Sequence, residues 1–362
     1  MELFWENGWT EGHPVVPPVE EWVQEFLDYV TLEPDQVIGT IPERDRVITA
    51  EKLAINAVMA GCRPEYMPVL VAAMEAICDP DYKFNHLASL GSPCPLLIVN
   101  GPIAKELGIN SGMYCFGPGS RPNATIGRAI SLLLWNCAEA RPDGIQRGQL
   151  GNPMRYGACV AENEDTGWEP LHVQLGFGRD QSAVTVVSVV PPSPVHINCS
   201  SLDAEVVAGV LAQGIAEATD FRKGTFPVFI PPAFAESFIQ HGWSKDDVKR
   251  YIVEHCRRSV AELKRRGRWG VGAIAFEGFQ GDPKMYVVEP GDEDRFVYLF
   301  KDQEEYNRLT FRPSELAHKN DIYIVVAGGD AGSHMGVFDH YSVSTDPVTK
   351  SIKLPGYRFV PT

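Results

Sequence analysis

The chain has 362 residues, of which 44% are hydrophobic and 22% charged, with a formal net charge of −15; this suits a globular chain large enough for two packed units. The acidic balance argues against nucleic acid as a partner, because phosphate binding draws on clustered Lys and Arg. No run approaches the roughly 20 apolar residues of a membrane span, and no basic, apolar leader precedes the opening MELFWENGW, so a cytoplasmic location is the expectation.

In chain order, a polar and aromatic opening ends in His13, Pro14 and the extended VVPP at 15–18, and residues 20–29 follow with the periodicity of a short amphipathic helix. After an extended stretch at 37–42, Thr49 has the chemistry of an N-cap for a helix over 50–61, and a second apolar helix is predicted over 64–77. Residues 95–99 form a short apolar run of the buried-strand type, followed by Asn100, Gly101, Pro102 and a helix at 103–107. The order returns later, where Asp203 can cap a helix over 204–216 and a strand at 228–230 leads through Pro231 and Pro232 into a helix at 234–240. The segments LLIVNGPIAKEL and VFIPPAFAESF share this strand, proline turn and helix, which suggests two related α/β halves, taken here as 1–150 and 151–362. Between them, 157–162, 171–175 and 183–190 read as three strands of an antiparallel meander. A long helix is expected over 245–265, then strand-like runs at 270–276, 285–288, 296–300 and 322–326. The expected class is therefore α/β, with mixed sheets covered by helices.

The segment at 110–128, NSGMYCFGPGSRPNATIGR, concentrates glycines, prolines and small polar residues ahead of the apolar run 129–135. It reads as a loop feeding a helix. Gly119 relaxes the backbone, Ser120, Asn123 and Thr125 are capping types, and Arg121 and Arg128 would join helix N–H groups in holding a carboxylate, phosphate or oxyanion. No Walker or dinucleotide spacing is present. Of the eight cysteines, none falls in a CxxC pair, so buried reduced thiols are expected. Cys115 stands apart because arginines and a helix start nearby would lower its pKa and make it a nucleophile.

A second constellation lies at 161–173, AENEDTGWEPLHV. Glu162 and Glu164 are two apart and share a face if extended, and His172 on the next predicted strand can come opposite them. Two carboxylates and an imidazole serve either as an acid/base set or, with His86 as a further ligand, as a site for a divalent Zn, Fe or Mn ion. His334 follows Asp330 and Ser333 in the glycine-rich AGGDAGSHMG and is a candidate acid or ligand; neighbours so close in sequence do not make triad geometry. The basic cluster Arg257, Arg258, Lys264, Arg265, Arg266 and Arg268 is expected to solvate the end of the long helix.

The runs WTEGHPVVPP, TAEKLAINAVMAGCRPEYMPVL, PLLIVNGPIAKELGIN, GPGSRPNATIGRA, AENEDTGWEPLHV, HGWSKDDVKRYI and VVAGGDAGSH resemble a poorly characterised bacterial family that accompanies small thiol or selenol proteins with a U-G-S-C motif. The chain has no G-S-C motif of its own. The resemblance implies a small-molecule enzyme whose site is surrounded by Asn100, Gly101, Asn110, Arg121, Asn123, Thr125, Arg128, Glu162, Trp168, Glu169, His172 and Gly329, with the thiol or selenol protein as partner. Three classes of function stand open. The first is a lyase or hydrolase acting on a small polar or anionic molecule by acid/base or metal-assisted chemistry, with Trp168 and Tyr114 walling the pocket. The second is a thiol enzyme using Cys115, and the third a non-catalytic ligand-binding or maturation protein. A homo-oligomer is expected from the apolar helix faces.

Overall fold

The structure, a computed structural model, describes residues 2–88, 91–142, 144–197, 203–219, 224–269, 286–301, 321–330, 334–340 and 346–354. Its first part runs through helices α1 (Glu2–Glu6) and α2 (Glu20–Val30), a hairpin of β1 (Val37–Ile41) and β2 (Arg46–Thr49), then helices α3 (Ala50–Ala60) and α4 (Met67–Ile77). Strand β3 (Cys94–Asn100), helices α5 (Pro102–Glu106) and α6 (Arg121–Cys137), strand β4 (Cys159–Ala161), helix α7 (Leu171–Gln174) and strand β5 (Ala183–Val189) follow. The second part comprises β6 (Ser193–His196), α8 (Ala204–Ala218), β7 (Thr225–Ile230), α9 (Pro232–Gln240), α10 (Lys245–His255), β8 (Arg257–Ser259) and α11 (Val260–Arg265). It closes with β9 (Phe296–Tyr298), β10 (Asp321–Val326), β11 (His334–Val337) and β12 (Val348–Ser351). No helix among the described residues is long and apolar enough to cross a membrane.

Strands that are apolar on both faces need cover on both sides, and β3, β5 and β7 are buried at every position. Their alternate residues divide among three cores. On the first sheet, Leu97, Val99, Val184 and Val186 face α3, α4 and α6 in one core. On the second, Phe226, Val228, Ile230, Ile322 and Ile324 pack with α8, α9 and α10 in another. Leu96, Ile98, Val160 and Val187 meet Phe229, Tyr323, Val325 and Phe338 in a third core between the sheets. The result is a four-layer sandwich of helices, sheet, sheet and helices.

The two sheets have the same plan. In the first the order is β12-β5-β3-β4, and in the second β6-β11-β7-β10. Each has one parallel pair, β3 with β4 and β7 with β10, while the next two strands run antiparallel. The edge strands are exchanged. The chain leaves β5 through Pro191 and Pro192, which cannot donate to a ladder, and continues as β6 in the second sheet. After β11 it returns as β12 in the first. The two sheets thus share a topology, and the chain crosses from the first to the second after β5.

Four local expectations are corrected. No antiparallel meander forms, because β4 and β5 flank β3 on opposite sides and the predicted strand at 171–175 is helix α7. The long helix predicted over 245–265 ends at His255; Cys256 turns into the core, Arg257–Ser259 pairs with β9, and Ser259 caps α11 by accepting from Glu262 N. Helix α6 begins at Arg121, so residues 121–128 of the supposed glycine loop are helical. Residues 286–288 form no strand, while the predicted strand at 270–276, Met285, Cys199 and Ser333 lie outside the described residues.

Candidate active site at the junction of the two sheets

In sheets with parallel pairs, ligand-binding groups gather beyond the carboxyl ends of the strands. Here the carboxyl ends of both parallel pairs abut. Glu162, the residue after β4, donates its N–H to Val99 O (3.3 Å), and Ala327, the residue after β10, donates to Ile230 O (3.1 Å). Asn163 N then bonds Val326 O across the two sheets at 2.7 Å. Glu162, Glu164 and His172 collect at this junction together with Asn100, and His172 arrives on α7 rather than on the strand expected for it.

Glu162 is buried with all its lone pairs in use. Oε1 accepts from Lys245 Nζ at 2.6 Å and Val326 N at 3.4 Å; Oε2 accepts from Asn100 Nδ2 and Leu171 N, both at 2.7 Å. Burial of a charge requires such pairing. Lys245 was not anticipated. It opens α10, where Ser244 and Asp247 form a capping box that holds the Asp247 carboxyl down to about 2. A cation at the first position of a helix opposes the dipole, and that mismatch is the sequence signal that Lys245 is held for another reason.

Glu164 is anchored differently. Its Oε1 accepts from Gly101 N at 2.6 Å and Asn100 Nδ2 at 3.0 Å and stands 3.8 Å from His172 Nδ1. No described residue donates to Oε2, and the side chain keeps 16% of its exposure. Gly101 makes this anchor reachable: its φ is +86°, and a Cβ there would lie 2.2 Å from Gln181 O, so only glycine brings the backbone N–H into place. His172 is wholly buried, and neither ring nitrogen has a hydrogen-bond partner among the described residues; the same is true of Asn100 Oδ1. Unfilled polar atoms clustered beside a partly open carboxylate are what a ligand would complete.

The other predicted residues do not join this cluster. Arg121 donates through Nε and Nη2 to Gly61 O at the end of α3, and Arg128 pairs with Glu11 at 2.8 Å. Ser120 caps α6 through Asn123 N, Asn123 braces the loop through Asn110 O and Cys115 O, and Thr125 Oγ1 bonds back to Arg121 O. Gly119, at φ +123°, supplies the turn before that cap. The segment is therefore a structural cap, and the anion seat expected from the two arginines is not formed.

Cys115 is buried beneath the loop, and desolvation pushes its thiol up to about 11. This is the reverse of the activation expected: desolvation outweighs the backbone N–H groups of Cys115 and Phe116 that favour the thiolate. Trp168 is no pocket wall either: its Nε1 donates to Trp243 O at 2.8 Å and its ring stacks on Phe238 in the second core. Tyr114 is exposed.

His334 sits opposite His196 across the β11–β6 ladder, with ring centroids 4.1 Å apart. His86 is the exposed residue of the turn Phe84–Leu87, before the amino end of β3 rather than at its carboxyl end. Among the described residues no group of three or more His, Cys, Asp or Glu side chains is arranged to hold a metal ion; the set Glu162, Glu164, His172 and His86 fails because Glu162 is saturated and His86 is remote. In the basic cluster, Arg258, Lys264, Arg265 and Arg266 are ion-paired with Glu217, Glu262, Asp292 and Glu293. Compared with known proteins, the chain matches no family model, no curated protein and no solved structure.

Proposed function

We propose that the chain is an enzyme of lyase or hydrolase type that performs general acid/base chemistry on a small polar organic molecule at the junction of the two sheets. The observation that carries this reading is His172, fully buried with both ring nitrogens unfilled among the described residues, 3.8 Å from a Glu164 carboxylate already fixed by Gly101 N and Asn100. A fixed carboxylate beside an imidazole, with a ligand supplying the imidazole's hydrogen-bond partners, is the arrangement of a proton-transfer pair. Glu164 Oε2, Asn100 Oδ1 and His172 together offer more acceptors than donors, which favours a substrate bearing hydroxyl or amino groups over a simple anion. Glu162 and Lys245 hold the positions of Asn100 and α7.

The acid/base form is preferred to the metal-assisted one because Glu162 has no lone pair left for a cation. The seven free cysteines among the described residues suit a reducing, cytoplasmic setting. A homo-oligomer and a small thiol or selenol partner remain parts of this proposal that rest on sequence alone. The test is to incubate the purified chain with a polar metabolite extract and follow consumption by mass spectrometry. The wild type and Cys115→Ser should consume the same compound, while Glu164→Gln and His172→Gln, folded by circular dichroism, should not. Turnover retained by both of the latter variants, or lost in Cys115→Ser, overturns the reading.

A further inference from the structure

A cavity of about 470 Å³ lies at the amino end of β3, beside Cys94 and beneath α6. Cys94 and Asn100 are six residues apart on one strand, so the cavity and the proton-transfer pair are separated by roughly 20 Å. Its volume falls in the range of small-molecule sites, which are mostly apolar with a few placed polar groups. Leu87, Pro95, Leu134 and Trp135 supply the apolar wall.

Two polar groups on the wall lack the partners their chemistry calls for. Gln146 lines the cavity, and among the described residues neither its amide oxygen nor its amide nitrogen is hydrogen-bonded, although both atoms are buried. Among the described residues Arg155 donates only to backbone carbonyls, Ser92 O at 3.3 Å, Leu87 O at 3.4 Å and Pro93 O. No acidic side chain among the described residues pairs with it, and burial lowers its pKa from the usual guanidinium value. The acid on the same wall, Glu11, is bound to Arg128. A mostly buried guanidinium with no counter-charge is costly unless an anion completes it. Arginine presents a fork suited to carboxylates, and a primary amide can both donate to and accept from a hydroxyl.

We infer that this cavity is a second ligand site, which takes a small carboxylate with a ring-sized apolar body and a hydroxyl group. The carboxylate meets Arg155, the ring lies against Trp135 and Leu134, and the hydroxyl completes Gln146. This site is independent of the proposed reaction.

Titration calorimetry of the full chain with 4-hydroxybenzoate, set beside the neutral 4-hydroxybenzamide, tests it. Wild type is expected to bind the carboxylate with a Kd below about 1 mM and the carboxamide at least about tenfold more weakly. Gln146→Leu should weaken binding, and Ser131→Phe, which fills the cavity from α6, should abolish it without lowering the melting temperature. His172→Gln should leave it unchanged, which separates this site from the one at the sheet junction. The inference is overturned by absence of heat with wild type up to about 10 mM, by binding that survives Ser131→Phe, by equal affinity for the carboxamide, or by loss of binding in His172→Gln.

Discussion

Replacing Lys245 by Met tests how the second half of the molecule is fastened to the first. The Lys245 ammonium and the Glu162 carboxylate are 2.6 Å apart, and each side chain keeps only 1% of its exposure. In Lys245→Met the carboxylate retains Asn100 Nδ2 and Leu171 N but loses its cation, while the apolar stem of the residue is kept. Removing one partner of a buried pair costs about 3–5 kcal/mol, because the remaining charge stays in a low-dielectric site. In a chain of this size that corresponds to a fall in Tm on the order of 5–10 °C. Removing the charge as well, in Glu162→Gln/Lys245→Met, should restore half or more of the loss, a coupling of about 2 kcal/mol or greater. Thermal and urea unfolding followed by near-ultraviolet circular dichroism reads both, since Trp168 and Trp243 pack next to α10. A loss below about 1 kcal/mol in the single variant, or strict additivity in the double one, would show that the pair does not join the halves.

Three further outcomes follow from the geometry. Gly101→Ala should destabilise by roughly 2–4 kcal/mol, because the new Cβ meets Gln181 O and the backbone is held at positive φ; thermal unfolding within 2 °C of wild type, or about 1 kcal/mol, would contradict this. Alkaline pH should weaken the fold. Desolvation pushes the thiols of Cys62, Cys94 and Cys256 up to about 12, whereas in the unfolded chain they ionise near pH 9. Below that pH both states are protonated and nothing is lost; between pH 9 and 12 the unfolded chain holds fewer protons, so stability falls by up to about 1.4 kcal/mol per pH unit for each buried thiol. A Tm that stays level from pH 8.5 to 11 would refute it. Chelation, finally, should leave Tm and the turnover sought above unchanged, since the oxygens of Glu162 are already filled; loss of either on chelation, restored by one divalent ion, would favour the metal-assisted form.

Much of the fold was legible because its determinants are local. The apolar run of β3 announced a strand of the buried type, β5, β7 and β10 were readable as strands, and Thr49 and Asp203 marked helix starts where their side chains do accept from the following turn. What misled was context. LHVQL carries strand-like residues at 171–175, but Leu171 N is fixed by Glu162 Oε2 and the segment closes as a turn of helix. The charged run after His255 keeps helical composition, yet pairing with β9 breaks it. At the site, Glu162, Glu164 and His172 were readable as a cluster, and Asn100 separately as a residue at the end of a predicted strand. Lys245 was not, since its partner is 83 residues away in sequence and only a cation at the wrong end of a helix betrays it. The arginines of the glycine-rich segment show the opposite error. Their residue types suit an anion, but Gly61 O and Glu11 occupy them, and no local pattern reveals a partner so far along the chain.

The most direct measurement of the central claim is kcat/KM against pH for the compound found in the metabolite screen, with wild type and His172→Gln. Loss of a positioned acid/base group removes about 10²–10⁴ in rate. The expectation is a fall of that size in kcat with KM little changed, together with loss of one limb of the pH profile. A variant within tenfold of wild type that keeps both limbs would mean that His172 moves no proton and that the chemistry lies elsewhere.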